Sequence, residues 1–454
     1  MLKIYFSDGT LLLDGDYDEI KPVINYLKID ERVKMFRAKA CHYGLIIAVL
    51  KTAEISFDDQ ALAYQPLKLD LISEFAPREH QQRALDHWLE RGSRGIVAMP
   101  TGSGKTFLAA MAMARLGVPA LVVVPTIDLL QQWAGTLERF FGCKVGMLGG
   151  GSKEVLDLTV STYDSAVLRM EFIGNRFGLI VFDECHHLPG AVNRMSAMMC
   201  LAPARLGLSA TPDHDNGEEV FEELIGPLVY EVHIDQLENH ILAPYTTRRI
   251  PVQLTTEESA EYSGSRHIYT DFLRRNGITF SGRNDWNRFI WSCARQEGGR
   301  EAFDAYLNQK RIARHCSGKF SKVWDLLRTH RGERIIIFTA ANDTAYEFGC
   351  RFLLPVITHR TKAAERKDML DKFRNGTYPV LVTSKVLNEG VDVPEASIGI
   401  VVSGSGSIRE HVQRLGRILR AGQGKEAVLY EMVSENTSEE YVSRRRREHR
   451  AYRR

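Results

Sequence analysis

Residues 99–106 read Met-Pro-Thr-Gly-Ser-Gly-Lys-Thr and follow an apolar run, Arg94-Gly-Ile-Val-Ala98. A buried strand entering a glycine-rich loop and then a helix, expected over Phe107–Leu116, turns successive backbone N–H groups toward the phosphates of a nucleotide. In that arrangement Thr101, Gly102, Ser103 and Gly104 form the cradle, Lys105 neutralises the β- and γ-phosphates, and the Thr106 hydroxyl holds Mg²⁺. Met99 stands where the usual pattern carries Gly or Ala. The match therefore leans on its strand–loop–helix context, since an ordinary glycine-rich turn has similar letters.

Further residues complement the loop. Asp183-Glu184 ends the apolar run Leu179–Phe182. There Asp183 would hold Mg²⁺ through its water shell, and Glu184 would orient and deprotonate an attacking water. His186 and His187 follow with no third ligand in sight, so a polar link to the next motif, Ser209-Ala210-Thr211-Pro212, fits better than a metal site. His186, Ser209 and Thr211 would couple the nucleotide to the rest of the chain. Gln413-Arg-Leu-Gly-Arg-Ile-Leu-Arg420 is the third constellation. On a helix, positions 413, 416, 417 and 420 share one face. That sets Gln413 beside two guanidiniums, Arg417 and Arg420, able to stabilise charge building on a γ-phosphate.

The elements that must position these groups follow from the apolar pattern. Short buried runs at 95–99, 120–124, 158–161, 179–182 and 205–209 alternate with amphipathic stretches such as Asp128–Phe140, and the rhythm restarts at 334–338, 356–358, 380–383, 397–402 and 427–432. Continuous apolar strands alternating with helices predict a parallel sheet covered on both faces, so two α/β domains stand in tandem. Residues 1–75 form a small α+β module: Lys3–Phe6, the turn Ser7-Asp8-Gly9 and Thr10–Leu13 predict a β-hairpin, and Cys41–Leu50 a further strand. Segments assigned are 76–240 to the first domain, 241–310 to a helical insertion rich in aromatics, 311–434 to the second domain and 435–454 to a basic tail. The insertion's large rings are expected mainly in its core, although bases could stack on them. The 454 residues carry a net charge of +2, but Tyr441–Arg454 holds seven Arg against one Glu, a local +6 that leaves −4 elsewhere. This tail is a candidate phosphate contact. Seven scattered cysteines exclude a compact zinc or iron–sulfur motif. With no apolar run near the roughly 20 residues of a membrane span, a cytoplasmic protein without a membrane partner is expected.

The order of phosphate loop, Asp-Glu-Cys-His, Ser-Ala-Thr and Gln-Arg-x-Gly-Arg-x-x-Arg resembles superfamily-two helicases from about Arg78 to Met432. Asp183-Glu-Cys-His-His-Leu-Pro189, Leu224-Ile-Gly-Pro-Leu-Val-Tyr230 and Ser403-Gly-Ser-Gly-Ser-Ile-Arg-Glu410 narrow this to a resemblance with the XPB family in its compact archaeal form. The resemblance implies two RecA-like domains sharing one ATP site. It implies a DNA-dependent ATPase and 3′–5′ DNA helicase using ATP and Mg²⁺. Its DNA would be single-stranded, forked or distorted, and a nuclease or another repair or transcription protein would be its partner; the location would be nucleoid-associated in an archaeon. Arg78 and Gln81 would contact adenine. Thr126, Thr162, Tyr163 and Thr383 would meet the nucleic acid, and Gly390 and Asp392 both strand and nucleotide. The N-terminal module would sense DNA distortion, and the insertion would grip DNA like a thumb. The family's Arg-Glu-Asp triplet is replaced by Asp213-His214-Asp215-Asn216, with Arg283-Asn284-Asp285 a similar triplet elsewhere. A duplex translocase that does not part strands is the alternative.

Overall fold

The computed structural model describes the chain except residues 73–75, 211–217, 234–235, 237–244, 281–284, 385–395, 404–426 and 448–454. The chain divides into two compact units near residue 237.

The first unit begins with the five-stranded sheet β3-β4-β2-β1-β5, built from β1 (Leu2–Ser7), β2 (Thr10–Asp14), β3 (Lys28–Asp30), β4 (Met35–Lys39) and β5 (Phe57–Asp59). Asp8 and Gly9 both take positive φ, 48° and 72°, as a two-residue hairpin turn requires. Beside the short α1 (Tyr17–Ile20), α2 (Tyr43–Thr52) covers the sheet. The strand expected over Cys41–Leu50 is therefore a helix. Its buried residues Tyr43, Ile46 and Leu50 fall on one helical face, and a short, nearly all-apolar run cannot distinguish this from a buried strand.

Residues 60–72 cross from this module to the α/β domain along a series of backbone contacts. Asn175 Nδ2 donates to Ala61 O (2.9 Å), and the N–H groups of Ala63, Leu67 and Ile72 donate to Asn175 O (3.1 Å), Gly117 O (2.7 Å) and Phe140 O (2.9 Å). Leu201 of the α/β domain is buried in the module's core, and Cys41 of the module in the domain's core.

The α/β domain holds β6 (Arg94–Ala98), β7 (Ala120–Val124), β8 (Gly146–Gly149), β9 (Ser152–Lys153), β10 (Leu158–Thr162), β11 (Leu179–Asp183), β12 (Ala204–Ser209) and β13 (Leu228–Glu231), in the order β13-β6-β12-β11-β7-β10-β8-β9. Among the described residues of this sheet only the β8–β9 pair is antiparallel. Strands β7, β10, β11 and β12 are buried along their whole length, as a doubly covered parallel sheet demands. Helix α3 (Glu79–Glu90) precedes β6, and α4 (Lys105–Leu116), α5 (Ile127–Phe141), α6 (Tyr163–Ile173), α7 (Arg194–Met198) and α8 (Glu218–Leu224) link the strands. The chain leaves β6 for β7 across the places later taken by β12 and β11. This is a topological switch point, where ligands of open α/β sheets bind at the carboxyl ends of strands.

The second unit has a six-stranded all-parallel sheet, β14-β19-β18-β15-β17-β16. Its strands are β14 (Tyr245–Val252), β15 (Ile335–Phe338), β16 (Val356–Ile357), β17 (Val380–Thr383), β18 (Ile398–Val401) and β19 (Ala427–Ser434). The stretch read as a helical insertion thus opens with an edge strand, β14, before α9 (Thr256–Arg275), α10 (Asp285–Arg295) and α11 (Gly299–Arg314). Phe272, Phe289 and Tyr262 are buried, whereas Phe280, Trp286 and Trp291 remain about half exposed. Next come α12 (Ser317–Thr329), α13 (Asn342–Phe352), α14 (Ala363–Arg374) and, after β19, α15 (Ser438–Arg447).

Candidate nucleotide site

The carboxyl end of β6 runs into the phosphate loop. Gly102 and Gly104 sit at φ 84° and 91°, backbone values that side chains resist. A Cβ at Gly104 would lie 2.2 Å from Gln81 Nε2. The loop is braced from α3: Gln81 Nε2 donates to Ser103 O and Gly104 O (both 3.2 Å), and His80 Nε2 donates to Ser103 O (2.9 Å). Burial holds His80 below the ordinary histidine pKa. Gln81 Oε1 accepts from Arg78 N–H (2.9 Å), while the Arg78 residue is exposed. The carboxamide expected to read adenine is thus buried and engaged with the loop. Ser103 Oγ donates to Pro100 O (2.7 Å), and Lys105 Nζ to Met99 O (3.1 Å). Thr101 Oγ1 is buried without a hydrogen-bond partner. Left-handed glycines, that orphaned hydroxyl, and a lysine and threonine opening α4 are the donor set that a magnesium–nucleotide phosphate group requires.

Strand β11 delivers the acid pair. Asp183 and Glu184 are 5% and 8% exposed. Asp183 Oδ2 accepts from the indole Nε1 of Trp133 on α5 (2.7 Å), and Oδ1 from Glu184 N–H (3.0 Å). Trp133 is a positioning residue with no motif to announce it. Burial first, then the Glu184 charge, push the Asp183 carboxyl up to about 6, with Lys105 pulling the other way. Glu184 adopts φ 47°, an uncommon backbone state for a residue with a Cβ. Its Oε2 lies 3.4 Å from His186 Nδ1. The His186 side chain is 4% exposed, its ring 4.4 Å from that of His187, and Ser209 is buried at the end of β12. Asp183 and Ser209 end β11 and β12, Glu184 follows Asp183 directly, and Lys105 opens α4 after the loop that leaves β6 in the same sheet.

Strands β7 and β10 are neighbours, with Thr162 opposite Val124. Thr126 and Thr162 cap α5 and α6, accepting from Leu129 N–H and Ser165 N–H (3.3 Å each). The side chains of the two other expected nucleic-acid residues are buried. Tyr163 is 3% exposed, its ring stacked 6.2 Å from Phe182 within the core. Thr383 is fully buried, its carbonyl accepting from Thr339 N–H (2.9 Å) and its hydroxyl donating to Ser384 O. Thr211, Asp213–Asn216, Arg283, Asn284, Gly390, Asp392, Gln413, Arg417 and Arg420 lie outside the described residues.

Three family models match. Residues 4–61 match the Xeroderma pigmentosum group B helicase damage recognition domain, 74–214 the type III restriction enzyme res subunit, and 291–451 the ERCC3/RAD25/XPB C-terminal helicase. The DNA 3′-5′ translocase XPB2 of Sulfurisphaera tokodaii is 38% identical over 93% of this chain and 96% of its own length. The DNA 3′-5′ helicase XPB of Mycobacterium tuberculosis is 32% identical over 82% of this chain, which spans 63% of that protein. The crystal structure of the Pyrococcus furiosus Hef helicase domain superposes with a TM-score of 0.51 at 18% identity, over 81% of this chain and 97% of that one. That likeness supports the tandem RecA-like fold. With a 38% identical relative matched almost end to end, the chain belongs to the XPB family of superfamily-two helicases.

Proposed function

We propose that the chain is an ATP-driven DNA motor that hydrolyses ATP and tracks DNA from 3′ to 5′, separating strands at forks or distorted duplex. The observation that carries this reading is the switch-point cradle of Gly102, Gly104 and Lys105 in the same sheet as the Trp133-braced Asp183. Lys105 gives up Met99 O to meet the γ-phosphate. Glu184 takes the proton of the attacking water. Mg²⁺, held by Thr106 Oγ and Asp183, would neutralise charge on the β- and γ-oxygens. Gln413, Arg417 and Arg420 are assigned to charge building up on the γ-phosphate; removing such an arginine costs about 10³–10⁵ in rate. The amide groups opening α5 and α6, at Thr126 and Thr162, suit backbone phosphates and carry no base code. The N-terminal module is assigned to DNA distortion, and a nuclease or another repair or transcription protein to the partner.

The test is steady-state ATPase at one fixed salt with no nucleic acid, single-stranded DNA, blunt duplex, forked DNA and single-stranded RNA. Strong stimulation by forked or single-stranded DNA supports the reading; stimulation by RNA alone, or by nothing, refutes it. Lys105→Ala should abolish turnover, and near wild-type turnover would overturn the site. A second reading, a duplex translocase that leaves strands paired, is favoured by the name of the 38% identical relative, a DNA 3′-5′ translocase. Stimulation by blunt duplex without strand displacement selects it.

A further inference from the structure

Where the N-terminal module meets the first helicase domain, three side chains of different chemistry converge. Cys41 and His42 belong to the one-turn 3₁₀ helix Ala40–His42 that follows β4, and Glu223 belongs to α8. The Cys41 thiol, a His42 ring nitrogen and a Glu223 carboxylate oxygen all lie within 4.8 Å of one another. Cys41 is buried, whereas Glu223 is exposed. His42 Nε2 is 3.4 Å from Glu223 Oε1, and its Nδ1 is buried without a hydrogen-bond partner. The ring of Tyr26 stands edge-on to the imidazole at 5.4 Å. A cation already meets the carboxylate, since Lys39 Nζ donates to Glu223 Oε1. No compact motif announces the set, because its members come from two distant stretches of chain.

Thiolate, imidazole and carboxylate are together ligands of Zn²⁺, which can take three protein groups and leave a fourth position to water. Magnesium and calcium prefer oxygen alone and are poor matches for a thiol and an imidazole. Charge must balance as well. Lys39, Arg94 and Arg205 all act on the Cys41 sulfur through their charge, and Arg94 Nη2 donates to Glu223 O (3.0 Å). A thiolate and a carboxylate cancel a divalent ion, so the filled site is neutral toward those cations and Lys39 is released. Cys41 gives its proton to solvent as the sulfur–metal bond forms, and neutral His42 supplies a lone pair. With Zn–S about 2.3 Å and Zn–N about 2.0–2.1 Å, ligand atoms around one ion stand about 3.5 Å apart. The spread seen here closes by rotation of the exposed Glu223 side chain.

We propose that Cys41, His42 and Glu223 form a zinc site that clasps the N-terminal module to α8, with Lys39 as the cation it displaces. The site needs neither nucleotide nor DNA, so its fate is separate from that of the motor reading. The test titrates Zn²⁺ into the tag-free full chain after chelator treatment, with excess Mg²⁺ to occupy Asp183 and Glu184, and counts bound ion by equilibrium dialysis. Co²⁺ in place of Zn²⁺ reports a thiolate ligand through charge-transfer absorption. Wild type is expected to hold one ion per chain and to show the thiolate band. Cys41→Ser should lose both. Glu223→Gln, a change at an exposed position, should weaken binding by more than the about 10–100-fold typical of losing an outer partner, and Lys39→Met should tighten it. Zn²⁺ should raise the melting temperature of wild type but not of Cys41→Ser, and unfolding curves in chelator show that each variant is folded. No bound ion in wild type overturns the proposal. So does an ion that Cys41→Ser and Glu223→Gln hold as tightly as wild type.

Discussion

Trp133→Phe isolates one hydrogen bond at the nucleotide site. The indole is 2% exposed, and its N–H meets Asp183 Oδ2 at 2.7 Å. Phenylalanine keeps most of the packing against the sheet and removes the donor. A hydrogen bond to a charged group contributes about 1.5–3 kcal/mol net, and loss of an outer partner of a metal ligand typically costs about 10–100-fold in metal affinity or activity. The two ranges agree, because each tenfold is about 1.4 kcal/mol. Without the indole, Asp183 loses the donor that fixes its Oδ2 and faces the Glu184 charge with less compensation. Steady-state ATPase should therefore need about 10–100-fold more Mg²⁺ for half-maximal rate, with much of the rate recovered at high Mg²⁺. A Mg²⁺ titration superimposable on wild type, with only a lowered melting temperature, would refute the reasoning and leave Trp133 as core.

Other perturbations reach different parts of the chain. Glu439 Oε2 accepts from the buried Lys319 Nζ (2.7 Å). Glu439→Ala strands the Lys319 charge in the interior and should cost about 3–5 kcal/mol, read by urea unfolding of the full chain; Lys319→Met with Glu439→Leu should recover most of it, and a double variant less stable than the single one contradicts the account. Burial, reinforced by Lys39, holds His42 below its ordinary pKa against the opposing pull of Glu223. The unfolded chain then binds that proton at higher pH, so wild-type stability should fall as pH drops below about 6.5. His42→Gln should lose less between about pH 7.5 and about pH 5.5; equal losses in the two proteins would remove His42 as the cause. Glu184→Gln should keep nucleotide binding while slowing turnover by orders of magnitude, checked by nucleotide titration beside ATPase, and an unaltered rate would reassign the water-positioning role.

Motif order made the phosphate loop, the acid pair and the two parallel sheets legible, because each rests on local chemistry: glycine φ, a strand's carboxyl end, a continuous apolar run. Failures came where only tertiary context decides. Cys41–Leu50 is nearly all apolar, and the face that packs emerges only with the sheet beneath it. Strand β14 begins with Tyr-Thr-Thr-Arg-Arg and becomes a strand through its pairing with β19. The burial of the Tyr163 and Thr383 side chains is likewise not legible in their motifs. Trp133 occupies the apolar face of α5 with Leu130, Ala134 and Leu137. From sequence it is indistinguishable from core, since the N–H that matters is the polar handle every tryptophan carries.

The crossing at residues 60–72 sets where the N-terminal module stands relative to the phosphate loop. A reader on a slack tether explores a volume and loses orientational freedom each time it engages. Here the backbone is fastened at Asn175, at Gly117 behind the phosphate-loop helix and at Phe140, while Leu201 and Cys41 interlock the two cores. The module is a bracket, and its aim is set when the chain folds. Each of its residues thus sits at a fixed offset from the phosphate loop within the first unit.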